Sequence, residues 1–142
     1  MLKRQTVLVV DDEPRIADTL ATVLRGSGLE VRTANNGLQG YSSYFREPTD
    51  WIITDIEMPK LNGIDMVQCI RAIDASVKTI YMTGGADKHW ALLSQEVHGF
   101  GAQILRKPFA IKRVIEMLAE KQRIPAKTAT ANITKKSVSN AL

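Results

Sequence analysis

The first 26 residues alternate between a short apolar run and a helical pattern. Residues 6–10 (TVLVV) form a continuous, largely β-branched run, which is typical of a strand buried on both faces of a parallel sheet. Pro14 stands at a position that the first turn of a helix accepts. Apolar residues then recur at helical spacing from Ile16 to Leu24, and Gly26 marks the end of that helix. The pattern predicts one strand followed by one helix.

The same strand–helix unit recurs four more times. Further strands are predicted at residues 29–33, 51–54, 78–82 and 103–105. The following helices are indicated by apolar residues at helical spacing: Leu38, Tyr41 and Phe45; Met66, Ile70 and Ile73; a weakly patterned stretch over 88–97; and Ile111, Val114, Ile115 and Leu118. Five such units predict an α/β protein, in which a parallel sheet carries helices on both faces.

Charge separates the folded part from the end of the chain. Of the 142 residues, the first 118 contain 14 basic and 14 acidic side chains, so the net charge of +4 lies entirely beyond them. Residues 124–142 are rich in Ala, Thr, Ser, Lys and Asn, and we predict a disordered basic tail or linker there. Residues 1–123 are predicted to form one domain. Because the basic excess is not on the folded part, we expect no nucleic-acid partner for this chain.

The sequence also indicates the cellular compartment of the protein. Cys69 is the only cysteine, so the chain has no intramolecular disulfide, and we expect it to be a helix packing residue. No apolar stretch approaches the length of a membrane span, and the first run is too short for a signal peptide. We therefore predict a cytoplasmic protein without a membrane partner.

Polar residues with related chemistry follow the predicted strands. Asp11 and Asp12 end the first strand, Asp55 the third, Thr83 the fourth and Lys107 the fifth. In an open parallel sheet these ends lie at one edge, where ligands bind. Three neighbouring carboxylates repel one another, and a hard divalent cation such as Mg²⁺ relieves that repulsion. A carboxylate is also a nucleophile toward phosphorus, and a lysine offsets the charge of a transferring phosphoryl group.

Four short motifs carry a family resemblance. They are VVDDEP at 9–14, DIEMPKLNG at 55–63, MTG at 82–84 and KPF at 107–109. Each is weak alone, but in this order and spacing they resemble the receiver domains of two-component response regulators over residues 6–123. The resemblance implies a flavodoxin-like, doubly wound fold, with a five-stranded parallel sheet of order 2-1-3-4-5 and five helices.

The resemblance also implies a role for each strand-end residue. Asp55 would accept a phosphoryl group from a histidine kinase or a histidine phosphotransfer protein. Asp11, Asp12 and Asp55 would hold Mg²⁺, and the main-chain carbonyl of Glu57 would complete the protein ligands.

The same resemblance assigns the switching residues. Thr83 would move toward the phosphoryl oxygens, Lys107 would pair with them, and the Lys107–Pro108 bond would be cis. The family usually has an aromatic residue three positions before the lysine, where this chain has Ile104. We therefore expect signal transmission to rely on movement of the loop and the fourth helix instead of the usual aromatic rotation. The expected partner downstream is an effector protein or a second copy, bound through the face from the fourth to the fifth helix.

Three alternatives stay open at this point. A phosphatase or phosphotransferase with an aspartate nucleophile usually carries Asp-x-Asp after its first strand, whereas this chain has Asp11-Asp12-Glu13. A docking platform that works without phosphorylation is supported by Ile104. A DNA-binding regulator would need an output domain beyond residue 123. We favour a phosphoacceptor switch that catalyses only its own phosphorylation and dephosphorylation, and so is not an enzyme in the usual sense.

Two histidines and one tryptophan lie in or directly after the fourth predicted helix. His89 and His98 are nine positions apart and have no metal-ligand partners at suitable spacing, so we predict structural roles for both. Trp90 fits an exposed docking face and a core position equally well.

Overall fold

The computed structural model describes residues 4–85 and 87–123, and side chains are described for all of these except residues 87 and 121–123. The tail predicted at 124–142 lies outside the described residues. The chain divides into two compact units, one up to Phe109 and one from Ala110 onward.

The first unit alternates strands and helices as the pattern predicts. Its strands are β1 (Thr6–Val10), β2 (Glu30–Ala34), β3 (Trp51–Asp55), β4 (Lys78–Thr83) and β5 (Gln103–Arg106). Its helices are α1 (Pro14–Gly26), α2 (Gly37–Arg46), α3 (Gly63–Arg71), a short 3-10 helix (Asp87–His89) and α4 (Trp90–Phe100). The predicted strands agree with these bounds to within one residue at each end.

All neighbouring strands are parallel, and their order is β2-β1-β3-β4-β5. The predicted flavodoxin-like order is thereby confirmed. β1 lies between β2 and β3 with Val7–Val10 fully buried, because a strand covered on both faces needs apolar side chains in both directions.

One face of the sheet carries a continuous core. Leu8, Ile52 and Tyr81 point to this face and are fully buried. Side chains of the helices that follow β2, β3 and β4 cover them, including Tyr44, Ile64 and Leu93. Sheet burial of this kind fixes the strand ends relative to one another, which positions the polar residues that follow them.

The loop after β3 is held close to the sheet. Asn62 caps α3 by accepting a hydrogen bond from Asp65 N at 2.8 Å. The Gly63 amide donates to Ile56 O at 2.8 Å, and a Cβ at Gly63 would lie 2.0 Å from the carbonyl oxygen of Asp55. Only glycine permits this approach, so the loop folds back directly beneath Asp55.

Several helix faces differ from the sequence prediction. In α2, Leu38 and Phe45 are exposed, and the buried side includes Tyr44 and two glycines, because small residues let α2 pack closely. Ile73 lies beyond α3 and is exposed. Cys69 is exposed, so its predicted packing role is wrong. Trp90 is also exposed.

The second unit consists, among described residues, of α5 (Ile111–Arg123). Of the predicted apolar stripe, Val114 and Leu118 are buried and Ile111 and Ile115 are half-buried, and Met117, which was not predicted, is also buried. Arg113 pairs with Glu116 at 3.5 Å and with Glu120 at 3.8 Å along its exposed side. No helix among the described residues is long and apolar enough to cross a membrane.

Candidate functional site

The ends of the strands bring the predicted site residues together. One carboxylate oxygen from each of Asp11, Asp12 and Asp55 lies within 4.8 Å of the others. Lys107, which follows β5, reaches this cluster, and its main-chain amide donates to the carbonyl oxygen of Thr83 at 2.8 Å. Residues up to 96 positions apart in sequence therefore meet at one edge of the sheet.

Asp11 is the most deeply placed of the three acids. Its Oδ1 accepts a hydrogen bond from Glu13 N at 2.9 Å, and the residue is fully buried. Oδ2 is buried and has no hydrogen-bond partner among the described residues. Burial, as the largest cause, raises the pKa of this carboxyl, and the charges of Asp55 and Asp12 act in the same direction.

Asp55 combines burial with partial access to solvent. Its Oδ1 accepts from Ile56 N at 2.8 Å, and its side chain keeps 14% of its surface exposed. Burial raises the pKa of the Asp55 carboxyl, although Lys107 opposes that rise. A partly exposed carboxylate at the rim of a sheet is accessible to a substrate.

Lys107 supplies the positive charge. Its Nζ lies 3.3 Å from Oδ2 of Asp55 and 3.6 Å from Oδ2 of Asp11. Burial alone would lower the pKa of Lys107, but the two carboxylates outweigh burial and raise it. The lysine is therefore held in its charged form between two of the three acids. The Lys107–Pro108 peptide bond is cis, as the resemblance implies.

The donor set fits Mg²⁺. Mg²⁺ prefers a few carboxylate oxygens and retains several waters, and the cluster offers three carboxylates of graded burial. The second oxygen of Asp11 is the strongest indication, because it is buried without a hydrogen bond and the Lys107 ammonium that offsets its charge stays 3.6 Å away. A cation ligated by that oxygen would remove the cost.

Thr83 lies at the end of β4 and is almost fully buried. Its hydroxyl oxygen accepts a hydrogen bond from the Gly85 amide at 3.0 Å. The hydroxyl proton stays available for another acceptor, because the oxygen serves here as acceptor only. Gly85 has φ +93°, a conformation that favours glycine, so the turn after Thr83 depends on this residue.

The side chain of Glu57 makes contacts that the sequence did not predict. Its Oε1 lies 2.6 Å from Nε2 of His89 and 3.2 Å from Nζ of Lys88. The His89 contact, followed by the Lys88 contact, lowers the pKa of Glu57. Glu57 is about 30 positions from Lys88 and His89 in the sequence, and the three residues lack metal-ligand spacing. Sequence analysis therefore did not predict that they are in contact. The proposed ligand role of the Glu57 carbonyl stays a prediction.

Ile104 lies in register with Tyr81 of the neighbouring strand. It is half-buried and packs at the edge of the core cluster that α2, α3 and α4 cover. The bulky aromatic side chain at this level of the sheet is thus Tyr81, on β4, and it is fully buried.

Comparisons with known proteins agree with this geometry. The DNA-binding response regulator MtrA of Mycolicibacterium smegmatis is 34% identical over 113 residues, which are 79% of this chain and 48% of MtrA. The chain thus spans about half the length of this relative.

Two solved structures share the fold. The CheY-like receiver domain protein from Methanospirillum hungatei JF-1 has a TM-score of 0.76 and 25% identity, covering 84% of this chain and 94% of that chain. Response regulator TrrA from Thermotoga maritima, solved in complex with Mg(2+)-BeF, has a TM-score of 0.70 and 31% identity. The match covers 82% of this chain and 97% of that chain.

The response regulator receiver domain family matches residues 7–119, which include the whole sheet except Thr6, all the acids of the cluster and Lys107. The chain therefore belongs to the response regulator receiver domain family and is a receiver of two-component signal transduction.

Proposed function

We propose that Asp55 is the phosphoacceptor of this receiver. The observation that carries the proposal is the position of its carboxylate, which lies 3.3 Å from the Lys107 ammonium and within 4.8 Å of a carboxylate oxygen of both Asp11 and Asp12. Among the three acids, Asp55 is the one at the end of the central strand β3 that is neither fully buried nor fully exposed. Asp55 therefore contacts the Lys107 ammonium and is also accessible to a phosphoryl donor.

The proposed reaction is transfer from a phosphohistidine. An oxygen lone pair of Asp55 forms the new P–O bond while the P–N bond of the donor breaks. The electron pair leaves with the imidazole nitrogen, which takes up a proton. Lys107 stays close to the reacting oxygen throughout and offsets charge on the phosphoryl group.

Asp11 and Asp12 are the proposed residues for Mg²⁺, together with Asp55 and the main-chain carbonyl of Glu57. The ion would neutralise charge on the phosphoryl oxygens. Burial keeps Asp11 fixed in place, and because Oδ1 accepts the hydrogen bond from Glu13 N, Oδ2 is the oxygen proposed to bind the ion. Thr83 and Lys107 are the proposed contacts of the bound phosphoryl group.

The activity we infer is that of a switch. Each chain takes up one phosphoryl group and loses it by hydrolysis, so the chain is the substrate of its own chemistry. The proposed partners are a histidine kinase or phosphotransfer protein upstream, and downstream an effector protein or a second copy bound through a face that includes α4. We place the chain in the cytoplasm, where such a donor would act.

Intact-protein mass after incubation with acetyl phosphate and Mg²⁺ tests the proposal. We expect one added phosphoryl group on the wild-type chain and on Asp18→Asn, which changes an exposed acid of α1. Asp55→Asn should gain none, and a chelator should prevent the gain in the wild type. Phosphorylation of Asp55→Asn to the wild-type extent would refute the assignment.

A docking platform that works without phosphorylation is the second candidate. Its support is Ile104, which stands where the family usually carries an aromatic switch residue and is packed into the edge of the core. In this alternative, Asp55→Asn binds the output partner with unchanged affinity. In the switch, the wild type binds the partner with different affinity before and after phosphorylation, and Asp55→Asn loses that difference.

A further inference from the structure

A buried ion pair joins α3 to α4, away from the phosphorylation site. Arg71, the last residue of α3, places Nη2 3.0 Å from Oε1 of Glu96 in α4, and its Nε donates to the same oxygen at 3.1 Å. Their side chains are 5% and 2% exposed. Charged side chains are rarely buried so completely, so this pair requires an explanation.

Other groups complete the cluster. The Tyr81 hydroxyl of β4 donates to Oε1 of Glu96 at 2.8 Å. Arg71 Nη1 donates to the carbonyl oxygens of Ala75 and Val77 at 3.1 and 3.0 Å, and its guanidinium lies 4.2 Å from the ring centroid of Phe100. We call Arg71, Tyr81 and Glu96 the α4 anchor. Through it, the C-terminal half of α4 is attached to both α3 and β4.

The other end of α4 is held by weaker contacts. His89 precedes the helix and provides no side-chain cap. The contacts of Lys88 and His89 with Glu57 involve a carboxylate that is 53% exposed, so water competes for them. Gly84 and Gly85 lie just before, and a Cβ at either position would meet no atom within 4 Å. The polar contacts at this end are therefore weaker than the buried ion pair, and the firmly packed part of α4 begins at Leu93, which is buried in the core.

We propose that Glu96 and Arg71 are positioning residues that hold the C-terminal half of α4 in both signalling states. Rearrangement on phosphorylation is then confined to the segment from Thr83 to the first turn of α4. The inference rests on the proposed function, because it concerns how a signal from Asp55 spreads. Tyr81 lies two residues before Thr83 on the same face of β4, so the anchor also fixes the strand on which the proposed switch residue sits.

Amide hydrogen exchange of the full chain, with and without beryllofluoride and Mg²⁺, tests this proposal. We expect altered exchange at residues 84, 85 and 88–92 and unchanged exchange at 95–100. An equal change over 95–100 would overturn the proposal. Fluorine NMR of the bound beryllofluoride is recorded on the same samples, so that absence of binding, which would count against the proposed function, is separated from a failed anchor.

Variants of the α4 anchor test the proposal independently. In Glu96→Gln we expect beryllofluoride to raise exchange at 95–100 by about tenfold, an effect that the wild type and the exposed control Gln95→Ala lack. A purely structural role would raise exchange equally with and without beryllofluoride, and that result would overturn the proposal. Tyr81→Phe removes one hydrogen bond and no charge, so it carries the same test if Glu96→Gln fails to fold.

Discussion

Lys107 Nζ lies 3.3 Å from Oδ2 of Asp55, at the edge of an acidic cluster that offers Mg²⁺ three carboxylates. The lysine and a bound cation would therefore occupy neighbouring positions around the same carboxylate. One positive charge is built into the chain and the second is supplied by the solution. The ammonium and the cation together would compensate the negative charge of a phosphoryl group. In the unphosphorylated protein, however, these two positive charges repel each other.

Replacement of Lys107 by methionine separates these two effects. We expect Mg²⁺ to bind Lys107→Met about tenfold more tightly, because a charge within a few ångströms has been removed from a partly shielded site. Phosphorylation by acetyl phosphate should at the same time become slower, because the transferring group loses a counter-charge. Titration calorimetry gives the affinity, and Lys112→Met, an exposed lysine of α5, is the control. Weaker Mg²⁺ binding in Lys107→Met would contradict the explanation.

Asp11→Asn tests the cost of the acidic cluster. Burial raises the pKa of Asp11, so at neutral pH its charged form destabilises the metal-free fold. We expect Asn to stabilise the metal-free protein by ~1 kcal/mol near pH 7. In the folded protein the pKa of Asp11 is above its ordinary value of 3.8. The gain in stability is therefore complete at a pH above this raised pKa, and it disappears as the pH falls toward 3.8.

Urea unfolding with EDTA and with Mg²⁺ measures this prediction. Added Mg²⁺ should stabilise the wild type, because only the folded cluster presents three carboxylates together, and should have a much smaller effect on Asp11→Asn. Asp18→Asn should respond like the wild type. An Asp11→Asn protein that is less stable than the wild type in EDTA would show that Asp11 has a structural role in the metal-free fold.

Sequence patterning predicted the strands and the strand-end residues because both depend on short-range signals, whereas the strand order came from the family resemblance. The apolar run of β1 and the acids that follow it are adjacent in the chain. The outward face of α2 was not predictable in this way, since Leu38 and Phe45 repeat at helical spacing whether the stripe faces the core or solvent. The contact of Glu57 with His89 depends on how two loops meet, and local sequence does not encode that distance.

The α4 anchor shows the same limit. Glu96 is an isolated acid in a weakly patterned helix, and Arg71 closes an amphipathic one. Either residue alone is typical of a solvated surface. Their burial follows from the tertiary approach of α3 and α4, which the alternation of strands and helices does not specify.

Gly63→Ala tests the close packing of the loop under Asp55. A Cβ there would lie 2.0 Å from a backbone carbonyl oxygen, which cannot move without displacing Asp55 itself. We expect a loss of about 2–3 kcal/mol in the free energy of unfolding and slower phosphorylation. Gly26→Ala, where a Cβ meets no atom within 4 Å, is the matched control and should not destabilise. Wild-type stability in Gly63→Ala would mean that the loop shifts freely.

A double-mutant cycle measures the energetic coupling within the α4 anchor. We expect Arg71→Met and Glu96→Leu each to destabilise the fold by about 3–5 kcal/mol, because each leaves the opposite charge buried without its partner. The double variant should recover most of that loss, since two apolar side chains replace both charges. Tyr81→Phe should cost only about 1 kcal/mol, the net value of one hydrogen bond. Equilibrium urea unfolding gives all four values. Additive losses in the double variant would show that the two residues stabilise the fold independently, and that α4 is fixed by its apolar contacts rather than by this ion pair.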